Sequence, residues 1–371
     1  MKKVWLVADS IVSPLGNSVE ENFEALTVGR SGVRKITDPA FGEHPIFLSL
    51  LNIEPQANDD TRFEMLCIRT LQQLFAQAKV DTDRTLLILS TTKGNIELLG
   101  RSESGNERIK LHHTAALLAH RFGINKHTVI SNACVSGTMA MLIGKRFLDS
   151  GIYENVIVLG ADVVSPFIVK GFESLHALSD QPCRPFDARR NGINLGEAAA
   201  AVLLTTAPEK TGVATNIYLA GGATSNDANH ISGPSRTGEE LALAIRSALT
   251  DAKTSVTEID FISSHGTATI YNDEMESKAF YLTGLHDTPL NSLKAMYGHT
   301  LGASALLESL ISAESLRRNE LIASAGFGEI GVSQPLNIIR KTERKNVQTC
   351  LKTASGFGGC NAVIVLRKSE I

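Results

Sequence analysis

Between Val129 and Ser150 the chain reads VISNACVSGTMAMLIGKRFLDS. A short β-branched start breaks at Ser131-Asn132, and from about Cys134 an apolar helix continues until Lys145-Arg146. A helix that is apolar on every side has no face to offer water, so it belongs inside a large protein with other layers around it. Its first turn holds Cys134 among Ala133, Ser136 and Gly137, whose small side chains leave space around the sulfur. Unpaired backbone N–H groups at a helix start favour the thiolate, the nucleophilic form of cysteine. Taken alone, the stretch is read equally well as a core helix with a small buried cysteine.

The material for such a core is present: 371 residues, 43% hydrophobic and 20% charged, enough for roughly two or three domains. A net charge of −3 argues against a general nucleic-acid binder, which carries a basic surplus. No uncharged apolar run reaches about 18 residues, so no membrane-spanning helix is expected. The opening MKKVWLVADSIVSPLGN has a basic start and a short apolar run, but Asp9 interrupts it and no convincing cleavage site follows. It reads as a first strand and not as a signal peptide. Cys67, Cys134, Cys183, Cys350 and Cys360 form an odd, scattered set without CxxC spacing. That suits a reducing, cytoplasmic setting and neither a disulfide framework nor a zinc site.

Along the chain, strands are expected at 3–12, 86–90, 128–130, 155–160 and 197–205. A linker at 208–214 follows, then strands at 217–221, 261–264, 349–353 and 362–367. Helices are expected at 19–27, 63–79, 111–122, 134–149, 238–252, 274–281 and 301–316. This alternation predicts a largely parallel sheet covered on both faces. The parts 1–207 and 215–371 rhyme, each with a late buried helix behind a small-residue turn, which points to an internal duplication.

Three stretches of the second part carry chemistry. FISSHGTATIYND places His265 just past a buried strand, where α/β folds bind ligands. SLKAMYGHTLGAS puts Lys294 and His299 in a Gly-rich turn entering a helix, and ASGFGGCNA is a glycine loop able to approach a ligand closely. Singly, each has an ordinary reading: a satisfied histidine, a solvated lysine, a plain turn. Together with Cys134 they form a set that calls for a common explanation.

These motifs join NACVSG at Cys134, CRPFDARRNGINLGEAAA at 183–200, GGATSNDANHISGP at 221–234 and SPLGNSVEENFEALTVGRSGV at 13–33. With them the chain resembles the β-ketoacyl-acyl carrier protein synthases of the thiolase-like condensing-enzyme superfamily, over nearly its full length. The resemblance implies a five-layer αβαβα fold and a decarboxylative Claisen condensation. It makes Cys134 the acyl-holding nucleophile and His265 and His299 the N–H donors to the malonyl enolate. Lys294 becomes a supporting charge paired with Glu276, while Asp273 and Thr267 lend support. Backbone N–H groups of Cys134 and Phe357 form the oxyanion hole, with Phe357, between Gly356 and Gly358, as a gate. Ile193, Ser355 and Thr300 surround the acyl group, and Asp187 organises its loop.

No metal and no bound cofactor are implied, since substrates ride on the phosphopantetheine of an acyl carrier protein. A homodimer is expected, or a heterodimer with a chain-length-factor-like subunit. Two departures stand out: Ser355 and Ile193 occupy positions where such enzymes often carry Phe, and the 93–110 region is abbreviated. They motivate the expectation of a bulkier or stiffer acyl group than a saturated chain, such as an aryl or polyene acyl. The rivals are a non-catalytic chain-length-factor-like subunit, disfavoured by the intact Cys-His-His set, and a CoA-dependent thiolase or initiating synthase, disfavoured by His299. A Gly-loop nucleotide binder is weaker still, because no GxGxxG or GxxxxGK[ST] follows a strand.

Overall fold

The computed structural model describes residues 2–53, 60–99, 107–229, 231 and 233–369. The first part supplies β1 (Val4–Val12), β2 (Thr85–Ser90), β3 (Lys126–Ile130), β4 (Asn155–Asp162) and β5 (Ala198–Thr205). The second supplies β6 (Ile217–Asn226), β7 (Phe261–Ser263), β8 (Leu290–Asn291), β9 (Thr349–Gly356) and β10 (Cys360–Lys368). The strands lie side by side in the order β3-β2-β4-β5-β1-β6-β10-β9-β7-β8.

Reading each part from its outer edge gives the same sequence, third-second-fourth-fifth-first. Directions repeat as well. In each part the first strand runs antiparallel to the fifth and the fifth to the fourth, while the fourth, second and third run parallel. The parts join where β1 pairs with β6, Val4 opposite Leu219 and Trp5 opposite Tyr218. The sheet is therefore mixed, a correction to the largely parallel one expected. Helical alternation reveals crossovers, but not that the fifth strand of each part returns between the first and the fourth.

Helices α1 (Val19–Thr27), α2 (Arg62–Phe75), α3 (Leu111–Arg121), α4 (Ser136–Asp149) and α5 (Pro166–Ser174) belong to the first part. The second has α6 (Glu239–Ala252), α7 (Ile270–Leu282), the single turn α8 (Lys294–Tyr297) and α9 (Ser304–Arg318). Helices α2 and α3 cover the outer face of the first part and α6 and α7 that of the second. Between the two halves of this sheet lie α4 and α9, touching each other and strands of both parts. The layers are thus α-β-α-β-α, as expected.

This central position explains the apolar sequences: Ala140, Met141 and Leu142 of α4 and Leu306, Leu307 and Leu310 of α9 are buried in one shared cluster. Gly137 lets the two helices close up, for a Cβ there would stand 2.5 Å from the Leu306 nitrogen. The α4 helix begins at Ser136, two residues later than expected, because Ala133 takes a left-handed φ of 46° and leaves Cys134 in the turn.

Candidate active site

Cys134 follows the strained Ala133, and a left-handed non-glycine residue is kept only where its surroundings hold it. Here Ser136 does so: its Oγ accepts from the Asn132 N–H at 2.8 Å and donates to the Ala133 carbonyl at 2.6 Å. Cys134 is only 8% exposed. Burial pushes its thiol up to about 12, the positive charge of Lys294 pulling the other way. Cys134 thus rests as a thiol, where the helix-start reading had favoured thiolate. Cys134 precedes the N-cap Val135, and its burial favours the neutral form.

His265 lies just beyond β7, and His299 follows α8 through Gly298. The His299 Nε2 is 2.9 Å from the Cys134 sulfur. The two imidazoles meet edge to face, with centroids 5.3 Å apart and planes at 79°. The ligand atoms of Cys134, His265 and His299 all lie within 4.8 Å of one another. Burial, and after it the charge of Lys294, hold both imidazoles well below the usual histidine range, so both are neutral. The Leu301 N–H donates to His299 Nδ1 at 3.3 Å, so the ring hydrogen sits on Nε2 and faces the sulfur. A metal ion would find its ligands in this trio alone among the described residues, but the adjoining ammonium groups of Lys294 and Lys352 oppose another cation.

Behind the trio stands a second layer. Glu276, on α7, accepts from the N–H groups of His265 at 2.9 Å and Gly266 at 2.6 Å and from Thr353 Oγ1 at 2.9 Å. Asp273 accepts from Thr267 N–H at 2.9 Å and Phe186 N–H at 2.7 Å, and burial pushes it up to about 7. The expected pairing of Lys294 with Glu276 does not occur. Lys294 Nζ donates to Glu308 Oε1 of α9 at 2.7 Å, and Lys352 Nζ stands 2.6 Å from Glu308 Oε2. Glu276 is occupied by backbone donors, so the lysine turns to the central helix. Asp187 organises its loop as expected, accepting from Gly328 N–H at 2.7 Å and Glu329 N–H at 3.1 Å.

A cavity of about 430 Å³ opens over the trio and is lined by Cys134, His265, Thr267, His299, Ile193, Ser355, Gly356 and Phe357 among others. Phe357 is 40% exposed and stacks on Phe172 of α5, centroids 5.8 Å apart. Gly356 lies beside the nucleophile, since a Cβ on it would come within 3.1 Å of the Cys134 nitrogen. Gly358 takes φ 84° and donates its N–H to the Ile231 carbonyl at 2.7 Å. Thr300 is a correction: it lies buried outside the cavity lining, its methyl against Gly196 and its carbonyl accepting from Ala303 N–H. Lys294 also stays behind the lining. Sequence reading missed Glu308, Lys352 and Phe172. An acid among the leucines of a buried helix and a lone lysine in a buried strand were the available signals for the first two. Nothing in the sequence marked Phe172.

Residues 49–210 match the family model of the β-ketoacyl synthase N-terminal domain and residues 217–327 that of the C-terminal domain. The chain belongs to the β-ketoacyl synthase family. It is 33% identical to the granaticin polyketide putative β-ketoacyl synthase 1 of Streptomyces violaceoruber, over 66% of this chain and 61% of that protein. To the 3-oxoacyl-[acyl-carrier-protein] synthase 2 of Coxiella burnetii it is 25% identical, over 99% of both. The solved structure of the ishigamide ketosynthase/chain length factor superposes with a TM-score of 0.91 at 26% identity, covering 100% of both chains. In this member of the family, each part of the duplicated fold contributes to one centre, the first giving the cysteine and the second both histidines.

Proposed function

We propose that the protein is an elongating 3-oxoacyl-[acyl carrier protein] synthase. The observation that carries this reading is the Cys134 sulfur 2.9 Å from His299 Nε2, beside a neutral His265, at the base of one cavity. Cys134 attacks the thioester of an acyl carrier. The carrier's thiol leaves with the proton, and the acyl group stays on the sulfur. N–H groups of Cys134 and Phe357 receive the oxyanion, each worth about 3 kcal/mol. A malonyl thioester then enters, its C–C bond breaks with loss of carbon dioxide, and His265 and His299 donate to the enolate oxygen. The enolate carbon attacks the acyl-Cys134 carbonyl, and the sulfur leaves from a 3-oxoacyl product two carbons longer. Lys294, Glu276 and Asp273 support the histidines without touching substrate. No resident cofactor is required, and a malonyl carboxylate that leaves as carbon dioxide supplies the driving force.

The acyl carrier protein is the partner in this reading, meeting a basic surface around residues such as Arg30, Lys35, Arg184 and Arg189. The second subunit is another copy of this chain or a chain-length-factor-like protein. The scattered cysteines suit the cytoplasm, and no helix among the described residues is long and apolar enough to cross a membrane. Ile193 and Ser355 line the cavity, which supports an acyl group bulkier or stiffer than a saturated chain, such as an aryl or polyene acyl made in polyketide-type synthesis.

Intact-protein mass after incubation with a panel of acyl-carrier thioesters tests all of this. One acyl mass gained by the wild type and none by Cys134→Ala is the expected result, with aryl and polyene acyls loading in preference to saturated ones. Preference for saturated chains sinks the acyl assignment alone. If nothing loads and the protein binds a synthase-like subunit, the non-catalytic reading replaces this one.

A further inference from the structure

Lys352 has no part in the steps above, yet it lies in the second layer of the site. It sits in β9, in a run buried from Thr349 through Ser355, and its side chain is fully buried. Its ammonium stands 2.6 Å from Glu308 Oε2 and donates to the carbonyls of Thr353 at 2.9 Å, Ser264 at 3.2 Å and Ser263 at 3.3 Å. Four oxygens cage one nitrogen. The other Glu308 oxygen holds Lys294 at 2.7 Å. Two ammonium groups thus share one carboxylate where water does not reach, and such an unbalanced buried charge is costly. Ser263 and Ser264 are the residues leading into His265, and Thr353 lies on the strand that ends at Gly356, beside Cys134. The cage therefore ties the backbone of one imidazole to the loop over the nucleophile.

The charges around the two imidazoles can be named from each side. Lys294 comes from α8, Lys352 from β9 and Glu308 from α9. Glu276 of α7 binds the His265 N–H and, through Thr353, faces Lys352. Cys134 lies in front as a neutral thiol. Placing a third positive charge in this set, on an imidazole, is opposed by both lysines. A neutral ring offers its N–H to an enolate, whereas an imidazolium would hold the malonyl carboxylate in the ground state and retard its loss.

We propose that Lys352 is a positioning residue for the condensation, fixing the backbone before His265 and keeping the two imidazoles uncharged during decarboxylation. This rests on the condensing activity proposed above. In its absence the cage would still present oxygens to a small cation, so ammonium ion is the natural probe of the vacated site.

The test follows malonyl-carrier decarboxylation against pH, with acyl loading of Cys134 by intact mass, in wild type, Lys352→Met and Lys352→Ala. The buffer cation is bulky tetramethylammonium. Lys352→Met is expected to move the acid limb of the rate profile up by about one pH unit. It should lower kcat about tenfold with KM little changed while still loading Cys134. Lys352→Ala is expected to behave alike and to recover both limb and rate when ammonium chloride is added. An unmoved acid limb in a variant that folds and loads Cys134 overturns the proposal, as does failure of ammonium to restore Lys352→Ala. If neither variant folds, even with ammonium, Lys352 is structural only and the proposal is overturned. A wild type that neither loads nor decarboxylates refutes the condensing reading itself, a result separable from any behaviour of the variants.

Discussion

Glu308 is the residue on which the second layer turns. Its carboxylate is the anion between Lys294 and Lys352, both with side chains 0% exposed. Burial alone would raise its pKa, but the two ammonium groups win and hold it at about 2, below an ordinary 4.5. A carboxylate depressed in the folded chain stabilises it fully above the unfolded value and loses that contribution as pH falls through the folded one. The window here runs from about 4.5 down to about 2, and the contribution at neutral pH is about 3 kcal/mol. Urea unfolding of the wild type should therefore weaken steadily below pH 4.5, and Glu308→Gln should flatten that part of the curve. Glu308→Leu, which strands two buried cations, should cost about 3–5 kcal/mol at neutral pH. Equal slopes for wild type and Glu308→Gln would show that folding leaves the Glu308 pKa unchanged and that the two lysines do not hold it down.

At the scale of elements, the contact between α4 and α9 sets the site, because α4 carries Cys134 at its entrance and α9 follows the turn of His299. Gly137→Val would drive its side chain into the Leu306 backbone, 2.5 Å from the would-be Cβ. The helices must part, at about 1–3 kcal/mol, and the sulfur must leave His299. We expect a lower melting temperature and strongly reduced acyl loading. Gly171→Ala in α5, where no heavy atom lies within 4 Å of the added carbon, should leave loading intact and stability equal or slightly raised. A Gly137→Val protein that melts and loads like the wild type would remove the helix contact from the account of the site.

The same helices show what the sequence made legible. Apolar residues on every face announced that α4 and α9 are interior, and small residues beside Cys134, His265 and His299 announced turns with room for a ligand. Less legible was what depends on distant partners. Lys294 was matched to Glu276 because both lie in motifs, whereas Glu308 sits one helix further on with no motif around it. Thr300 adjoins a site residue in sequence, but the turn at 301–303 directs it into Gly196. Strand direction was hidden too, since the insertion of β5 and β10 beside the first strand of each part leaves no local trace.

For the whole molecule, the repeated strand order suggests two units, yet the packing makes them one. Gly160 of β4 lies against Ala303 and Leu306, its would-be Cβ 3.2 Å from each. Asp162 accepts the Gly302 N–H at 2.7 Å, Ser90 donates to the Gly302 carbonyl at 2.8 Å, and Arg317 pairs with Asp9 at 2.8 Å. From the other side, Gly222 of β6 admits Leu142 of α4, whose Cδ2 would be 2.5 Å from an added Cβ. Separating 1–207 from 215–371 would uncover an apolar face of each central helix and take the Gly302 donor from the buried carboxylate of Asp162, which would keep Thr91, Thr92 and Lys93, and the lost apolar burial is a cost that neither part's own contacts offset. Each part expressed alone should bind hydrophobic dye and lack a cooperative melt, while the intact chain unfolds in one transition by both circular dichroism and fluorescence. A cooperative transition in either isolated part would mean that its outer layer and sheet suffice. The shared α4–α9 layer would then be an interface between two domains and not their common core.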